Sequence, residues 1–275
     1  MPLLQRYEYR LKTISTLVMS PRNHQGHYLV AGDFKRADIE QNLNHLVTDG
    51  ENASPNRVNI IYPFYQYGAY SSYDPKNTQY YIPGSSIKGA VLSNGPQPKA
   101  PVNMMVDDII VQSTHLQLRG LYKLQYLSEE TNHSVRLEHF FPNVAVEMLA
   151  AGTEYTGTLF CNENIHEYLQ VSQRKTQDKL IQLKDRLRAA NDASLIEDGG
   201  RIERLKNNID SIMQAMLSNT GAHTLLLGGY KGLALSGVFP NTAFNKVDSA
   251  VYVDQSKDLP HGLVQIDKVR LKQGI

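Results

Sequence analysis

The run Tyr81-Ile82-Pro83-Gly84-Ser85-Ser86-Ile87-Lys88-Gly89-Ala90 places two hydroxyls, a lysine and a pair of glycines in one short stretch. Glycine admits close backbone approach, N–H and O–H groups donate hydrogen bonds, and the lysine adds a positive charge. The chemistry suits a phosphate, carried either by a nucleotide or by a nucleic-acid backbone. A P-loop would need GxxxxGK followed by Ser or Thr. Gly84 and Gly89 have that separation, but Ala90 stands where the lysine belongs and no Ser or Thr follows to hold magnesium. A Walker-type NTPase is therefore excluded.

A second glycine cluster, Gly228-Gly229-Tyr230-Lys231-Gly232, is not a dinucleotide fingerprint, because it leads toward an expected strand over 233–239 instead of a helix. Taken alone it reads as a hairpin turn with glycines at positive φ. His24 and His27 are spaced HxxH near Asp33, without a third ligand at matching spacing. Asp107-Asp108 precedes a strand and has the chemistry to bind a cation, but reads first as a cap for a turn or a pairing site for a neighbouring basic subunit. No GxSxG-like nucleophile arrangement involves Ser85 or Ser86. The tyrosines at 62, 65, 67, 70, 73, 80 and 81 can stack bases or pack an ordered loop.

These groups must be positioned by a chain of 275 residues, 41% hydrophobic and 20% charged, as in a globular protein with a sizeable core. No apolar run is long enough to span a bilayer, and the N-terminus carries no signal-peptide pattern, so a cytoplasmic location is expected. One cysteine, Cys161, excludes an internal disulfide and a cysteine-based zinc finger. The net charge is only +1, so any RNA groove must concentrate its charge locally or share it with neighbours.

Alternation predicts strands over 5–19, 109–113, 116–127, 141–148, 153–160, 223–227, 233–239 and 262–271, with a bulge at Gly120 in the third. Short helices are expected at 38–47 and 87–92, the second following a PGSSIKG loop. Apolar residues at three-four spacing predict an amphipathic helical pair over 164–190 and 202–216, joined near Asp198-Gly199-Gly200, with alternating charges on a solvated face. Lys268, Arg270 and Lys272 alternate in the last strand and point to one face, as a basic patch or as a lysine-protected sheet edge.

The segment YIPGSSIKGA resembles the hallmark of the RAMP superfamily, the RNA-binding subunits of CRISPR effector complexes. The order of the other segments is similar too: an N-terminal strand, the PGSSIKG turn, MMVDDIIVQ, the strand pair in LEHFFPNVAVEMLAAGTEYTGTLF, a helical region and LGGYKGL. Within the superfamily the chain is similar to the Csm-type subunit that caps the guide-RNA 3′ end in type III-A complexes.

The resemblance implies an α+β, ferredoxin-like (RRM-like) core with helices on one face of an antiparallel sheet. It implies a single domain over 1–275, with a loop-rich insertion at 20–80 and the helical region at 162–219. It also implies a non-catalytic subunit that holds CRISPR RNA and contributes to its maturation and to antiviral defence. The expected partners are CRISPR RNA, backbone RAMP subunits, small helical subunits and a nearby target RNA, with no cofactor, metal or membrane. The RNA contacts it implies are Gly84, Ser85, Ser86, Lys88 and Gly89, with Gly229, Tyr230, Lys231 and Gly232 as a second clamp. Two other readings stand beside it. One is a RAMP-type ribonuclease using Asp33, or His24 and His27. The other is an assembly protein whose loops grip a neighbouring subunit.

Overall fold

A computed structural model describes residues 4–19, 25–40, 57–92, 102–125, 135–189, 200–236 and 251–272. Its central layer is an antiparallel five-stranded sheet. β1 (Gln5–Thr13) sits in the middle, flanked by β11 (Glu154–Cys161) and β15 (Leu263–Lys272), with β5 (Met104–Val106) and β12 (Ala222–Leu226) at the edges. The alternation of β1 explains its place: Tyr7, Tyr9, Leu11 and Thr13 are buried, and the residues between them are not. Tyr9 lies over Gly157 of the neighbouring strand, where an added Cβ would come within 2.3 Å of the ring.

Two helices cover that buried face. α2 (Gly84–Leu92) contributes Ile87 and Val91, and α3 (Ile165–Ala189) contributes Ile165, Tyr168 and Leu169 to one core with the sheet. The far half of α3 packs against α4 (Arg201–Ser218) through Leu180, Leu183 and Leu187 on one side and Ile202, Leu205, Ile209 and Met216 on the other. Each such side chain stabilises the fold by about 1.5–3 kcal/mol when fully buried. The three-four spacing thus predicts this pair correctly, and the polar Ser172 and Thr176 of α3 are buried as well.

The remaining strands form smaller sheets. β2 (His27–Tyr28), β3 (Ile60–Tyr62), β10 (Val144–Leu149) and β7 (Leu116–Arg119) make one, in that order, with β3 and β10 parallel. β14 (Leu259–Pro260), β13 (Val251–Asp254), β8 (Leu121–Gln125) and β9 (Arg136–Phe140) make another, and β4 (Tyr80–Ile82) pairs with β6 (Ile109–Val111). The molecule is therefore mixed α/β with mostly antiparallel sheets.

Several expectations are corrected. The strand over 5–19 ends at Thr13, because Thr16 N–H then donates to Asp254 at 2.8 Å and Leu17 bridges to Leu149 in a different sheet. The stretch 116–127 is not one bulged strand. At Gly120 the chain passes from one sheet to another, and His139 fills the space where a Cβ would stand, 2.2 Å from its Nε2. Residues 233–235 form a 3-10 turn instead of a strand, and 237–239 lie outside the described residues. Of the helix expected at 38–47, α1 (Arg36–Glu40) is described and 41–47 are not.

Lys268, Arg270 and Lys272 do not share one face either. Glu8 pairs with Arg270 and Arg10 with Asp267, so β15 carries an extra residue there and Lys268 takes a φ of 51°. Asp267, not Lys268, joins Arg270 in phase. It takes two hydrogen bonds from Arg10 at 2.7 and 2.6 Å, while Lys272 pairs with Glu8 at 3.2 Å. The expected basic patch is laced with acids.

Candidate functional site

The PGSSIKG segment is a helix start, not a loop followed by a helix. Pro83 C=O accepts from Ser86 N–H at 2.9 Å and Ile87 N–H at 3.3 Å, so the first helical residue is Gly84, three residues earlier than expected. Proline just before the helix suits this, since its fixed φ starts the turn. Gly84 is required by the chain itself. A Cβ there would stand 2.0 Å from the carbonyl oxygen of Val106, so only glycine lets α2 lie this close to β5.

The Gly84 N–H, an unpaired donor of the helix N-terminus, points at Asp108 Oδ1 at 2.7 Å. The other oxygen of that carboxylate accepts from Tyr67 Oη at 3.0 Å. Asp108 is thus a cap supplied by the two-residue link between β5 and β6, which the helix dipole favours. Its charge already occupies the position a phosphate would take beside Gly84.

The rest of the motif faces outward. Ser85, Lys88 and Gly89 stand three and four residues apart and share one stripe, with Ser85 and Gly89 exposed and Lys88 half-buried. Among the described residues, the side chains of Ser85, Ser86 and Lys88 have no hydrogen-bond or ion-pair partner. Gly89 has ordinary helical geometry, and a Cβ added to it would meet nothing within 4 Å. Such a glycine costs a helix about 0.5–1 kcal/mol relative to alanine, and no close approach among the described residues requires it.

The second glycine loop is built inward. Gly228 and Gly232 take φ values of 87° and 86°, and Gly229 N–H donates to Val18 C=O at 2.9 Å. A Cβ on Gly228 would come 2.4 Å from the same carbonyl oxygen. Tyr230 packs edge-on against Tyr252, with ring centroids 5.6 Å apart. Lys231 turns into the protein and donates to Leu226 C=O at 3.3 Å. Burial, and then the nearby charge of Lys179, push its pKa down to about 8. Lys179, on α3, donates to the carbonyls of Leu235 and Ser236, so it ties the end of the loop to the helix, while Lys231 ties the loop back to the end of β12.

The two motifs do not converge on one point. Val106, which Gly84 touches, is level with Tyr7 through Leu159, while the glycine loop follows Leu226, beyond Thr13. Seven strand positions separate them, roughly 20 Å at about 3.3 Å per residue. Only a ligand extended over several units could touch both.

The other sequence candidates do not assemble into a site among the described residues. Asp33 Oδ2 accepts from Tyr28 N–H at 2.8 Å around the turn at Leu29–Ala31. His27 is buried edge-on against Tyr73, and burial lowers its pKa against the pull of Asp33. His24 lies outside the described residues. Among the described residues no three His, Cys, Asp or Glu side chains gather as a metal site. No helix among them is long and apolar enough to cross a membrane.

Spacing in the sequence does not reveal a cleft of about 330 Å³ beside the start of α2, lined by Gln25, Gln66, Tyr67, Gly68, Ala69, Tyr70 and Tyr81. Its signal was the tyrosine run, but only the pairing of 65–67 against 79–81 shows which rings line it. Compared with protein-family models and with curated proteins, the chain matches none.

Proposed function

We propose that this chain is an RNA-binding subunit of a type III CRISPR ribonucleoprotein, of the Csm type that caps the 3′ end of the guide RNA. The observation that carries the reading is the outward stripe of α2. It presents hydroxyls and a lysine that have no partner among the described residues, beside Gly89, where neither φ nor a close contact among those residues calls for glycine. A glycine kept at a cost in helix stability fits a surface that another molecule approaches closely. Hydroxyls and a lysine suit that molecule being a phosphodiester backbone.

The strand order supports the accompanying fold proposal. With β12 set aside, β15, β1, β11 and β5 lie side by side, all antiparallel, with α2 following β1 in sequence and α3 following β11. That is the arrangement expected of a ferredoxin-like core. In this reading Ser85, Ser86, Lys88 and Gly89 touch the RNA, and Gly84 shapes the helix start. Gly229, Tyr230 and Gly232 offer a second contact further along the strand, with Lys231 as an internal strut. Recognition is then of backbone shape and charge, with slight base preference. Neighbouring subunits supply the charge that a net +1 chain lacks. The chain itself holds the RNA and does not cut it.

The test is fluorescence anisotropy of a labelled single-stranded RNA with the purified chain and with Lys88→Ala. Binding should weaken in the variant by less than the whole affinity, uniformly across RNA sequences. Equal affinity of wild type and variant at low salt contradicts the reading. Incubating the same RNA with and without magnesium should leave it intact. Cleavage lost in Asp33→Ala assigns a nuclease instead.

A further inference from the structure

The cleft beside α2 contains an unusual polar group. Gln66 is only 8% exposed, and its side-chain amide has no hydrogen-bond partner among the described residues, yet it is not sealed from the surface. An amide that reaches the cleft without a protein partner is satisfied there by water, which the polar edge of a ligand can replace. Tyr67 and Tyr81 stack beside it with centroids 4.0 Å apart and planes 16° from parallel. Tyr81 is the buried member and Tyr67 the half-exposed one that lines the cleft, so Tyr67 is the ring a ligand in the cleft reaches.

The Tyr67 ring is also fixed in place. Its hydroxyl donates to Asp108, the same carboxylate that receives the Gly84 N–H. One carboxylate therefore locks both the cleft wall and the start of the helix. At about 330 Å³ the cleft falls at the small end of ligand sites, large enough for one flat heterocycle.

We propose that this cleft holds a single nucleobase, stacked on Tyr67 and contacted along its polar edge by the amide of Gln66. The proposal rests on RNA lying along α2, whose start Asp108 ties to the cleft wall. A glutamine amide offers both a donor and an acceptor, which a base edge can match, whereas a purely apolar ligand would leave it unsatisfied. Stacking on an aromatic ring tolerates any base, and the amide adds a preference among them.

The experiment uses the full chain and single-stranded RNAs carrying 2-aminopurine at one position at a time, with fluorescence reporting stacking. One position should be quenched by wild type and by Tyr67→Phe, which keeps the ring, but not by Tyr67→Leu. Affinity should fall about tenfold in Tyr67→Leu. An abasic site at the quenched position should weaken wild type similarly and add little to the loss in Tyr67→Leu. Gln66→Met should bind all bases at that position alike.

RNA binding that responds to Lys88→Ala, with no quenched position and no effect of Tyr67→Leu, overturns the cleft proposal and leaves the RNA reading standing. A Tyr67→Leu chain that keeps its RNA but loses a partner subunit overturns it as well, and assigns the cleft to a protein contact. If RNA does not bind at all, the RNA reading falls, and free 2-aminopurine riboside decides the cleft. Quenching by wild type but not by Tyr67→Leu keeps it as a base site, and no quenching removes it.

Discussion

Glu147 is completely enclosed on β10, where it receives hydrogen bonds from Tyr80 Oη at 2.9 Å and Phe64 N–H at 3.0 Å, with the Tyr73 hydroxyl also bonded to it. Burial outweighs these bonds and raises its pKa to about 7. A carboxyl raised above its unfolded value favours the folded state while protonated. That contribution is complete below about pH 4.5 and is lost as pH rises toward 7. Relative to Glu147→Gln, wild type should therefore lose stability across this window, by a difference on the order of 3 kcal/mol in urea denaturation. Lys231 has the opposite sense: below about pH 8 it is charged at a cost to the fold, and that cost is relieved as pH rises from about 8 toward 10.5. Lys231→Met should keep or raise stability at neutral pH and leave the salt dependence of RNA binding unchanged, whereas Lys88→Ala should reduce it. Lysines 88 and 231 look equivalent in the sequence, each beside a glycine. Only the tertiary surroundings turn one outward and the other toward a carbonyl.

Within α2, two glycines five residues apart have opposite roles. Gly84→Ala forces a methyl into the Val106 carbonyl, so the helix must shift off β5. A loss of about 1–3 kcal/mol is expected in chemical denaturation, as for overpacked cores. Gly89→Ala adds a methyl in open space, and should stabilise the free chain by about 0.5–1 kcal/mol while weakening RNA binding. Stabilisation with unchanged RNA affinity would remove the reason given for that glycine. The helical pair α3–α4 and the alternation of β1 were legible because burial on one face repeats in the sequence with a fixed period. The turn at Leu233–Leu235 and the break at Gly120 were not. Apolar residues occur there too, and only contacts with residues distant in sequence, such as His139, decide the local conformation. The same holds for Asp108, whose part as a cap for α2 depends on a strand pairing that no local pattern records.

Across the whole molecule, charge is nearly balanced and much of it is paired. Arg10 is held by Asp267 and Glu154, Lys184 by Asp210, and Arg201 and Arg204 by Asp258. With a net charge of only +1, the proposed RNA affinity would come from a few placed groups and not from the charge of the chain as a whole. Lys88 is the placed cation the account relies on. On the proposed reading the composition requires that charge to be local, and the inward turn of Lys231 leaves Lys88 as the lysine on which the proposal rests. The most direct test is the slope of RNA affinity against salt concentration for wild type and Lys88→Ala. The account predicts that wild type binds single-stranded RNA and that the variant's slope is smaller by about one released counterion, roughly 0.7 in log units for a single strand. Identical slopes and affinities in the two proteins, or no RNA binding by wild type at low salt, would contradict it.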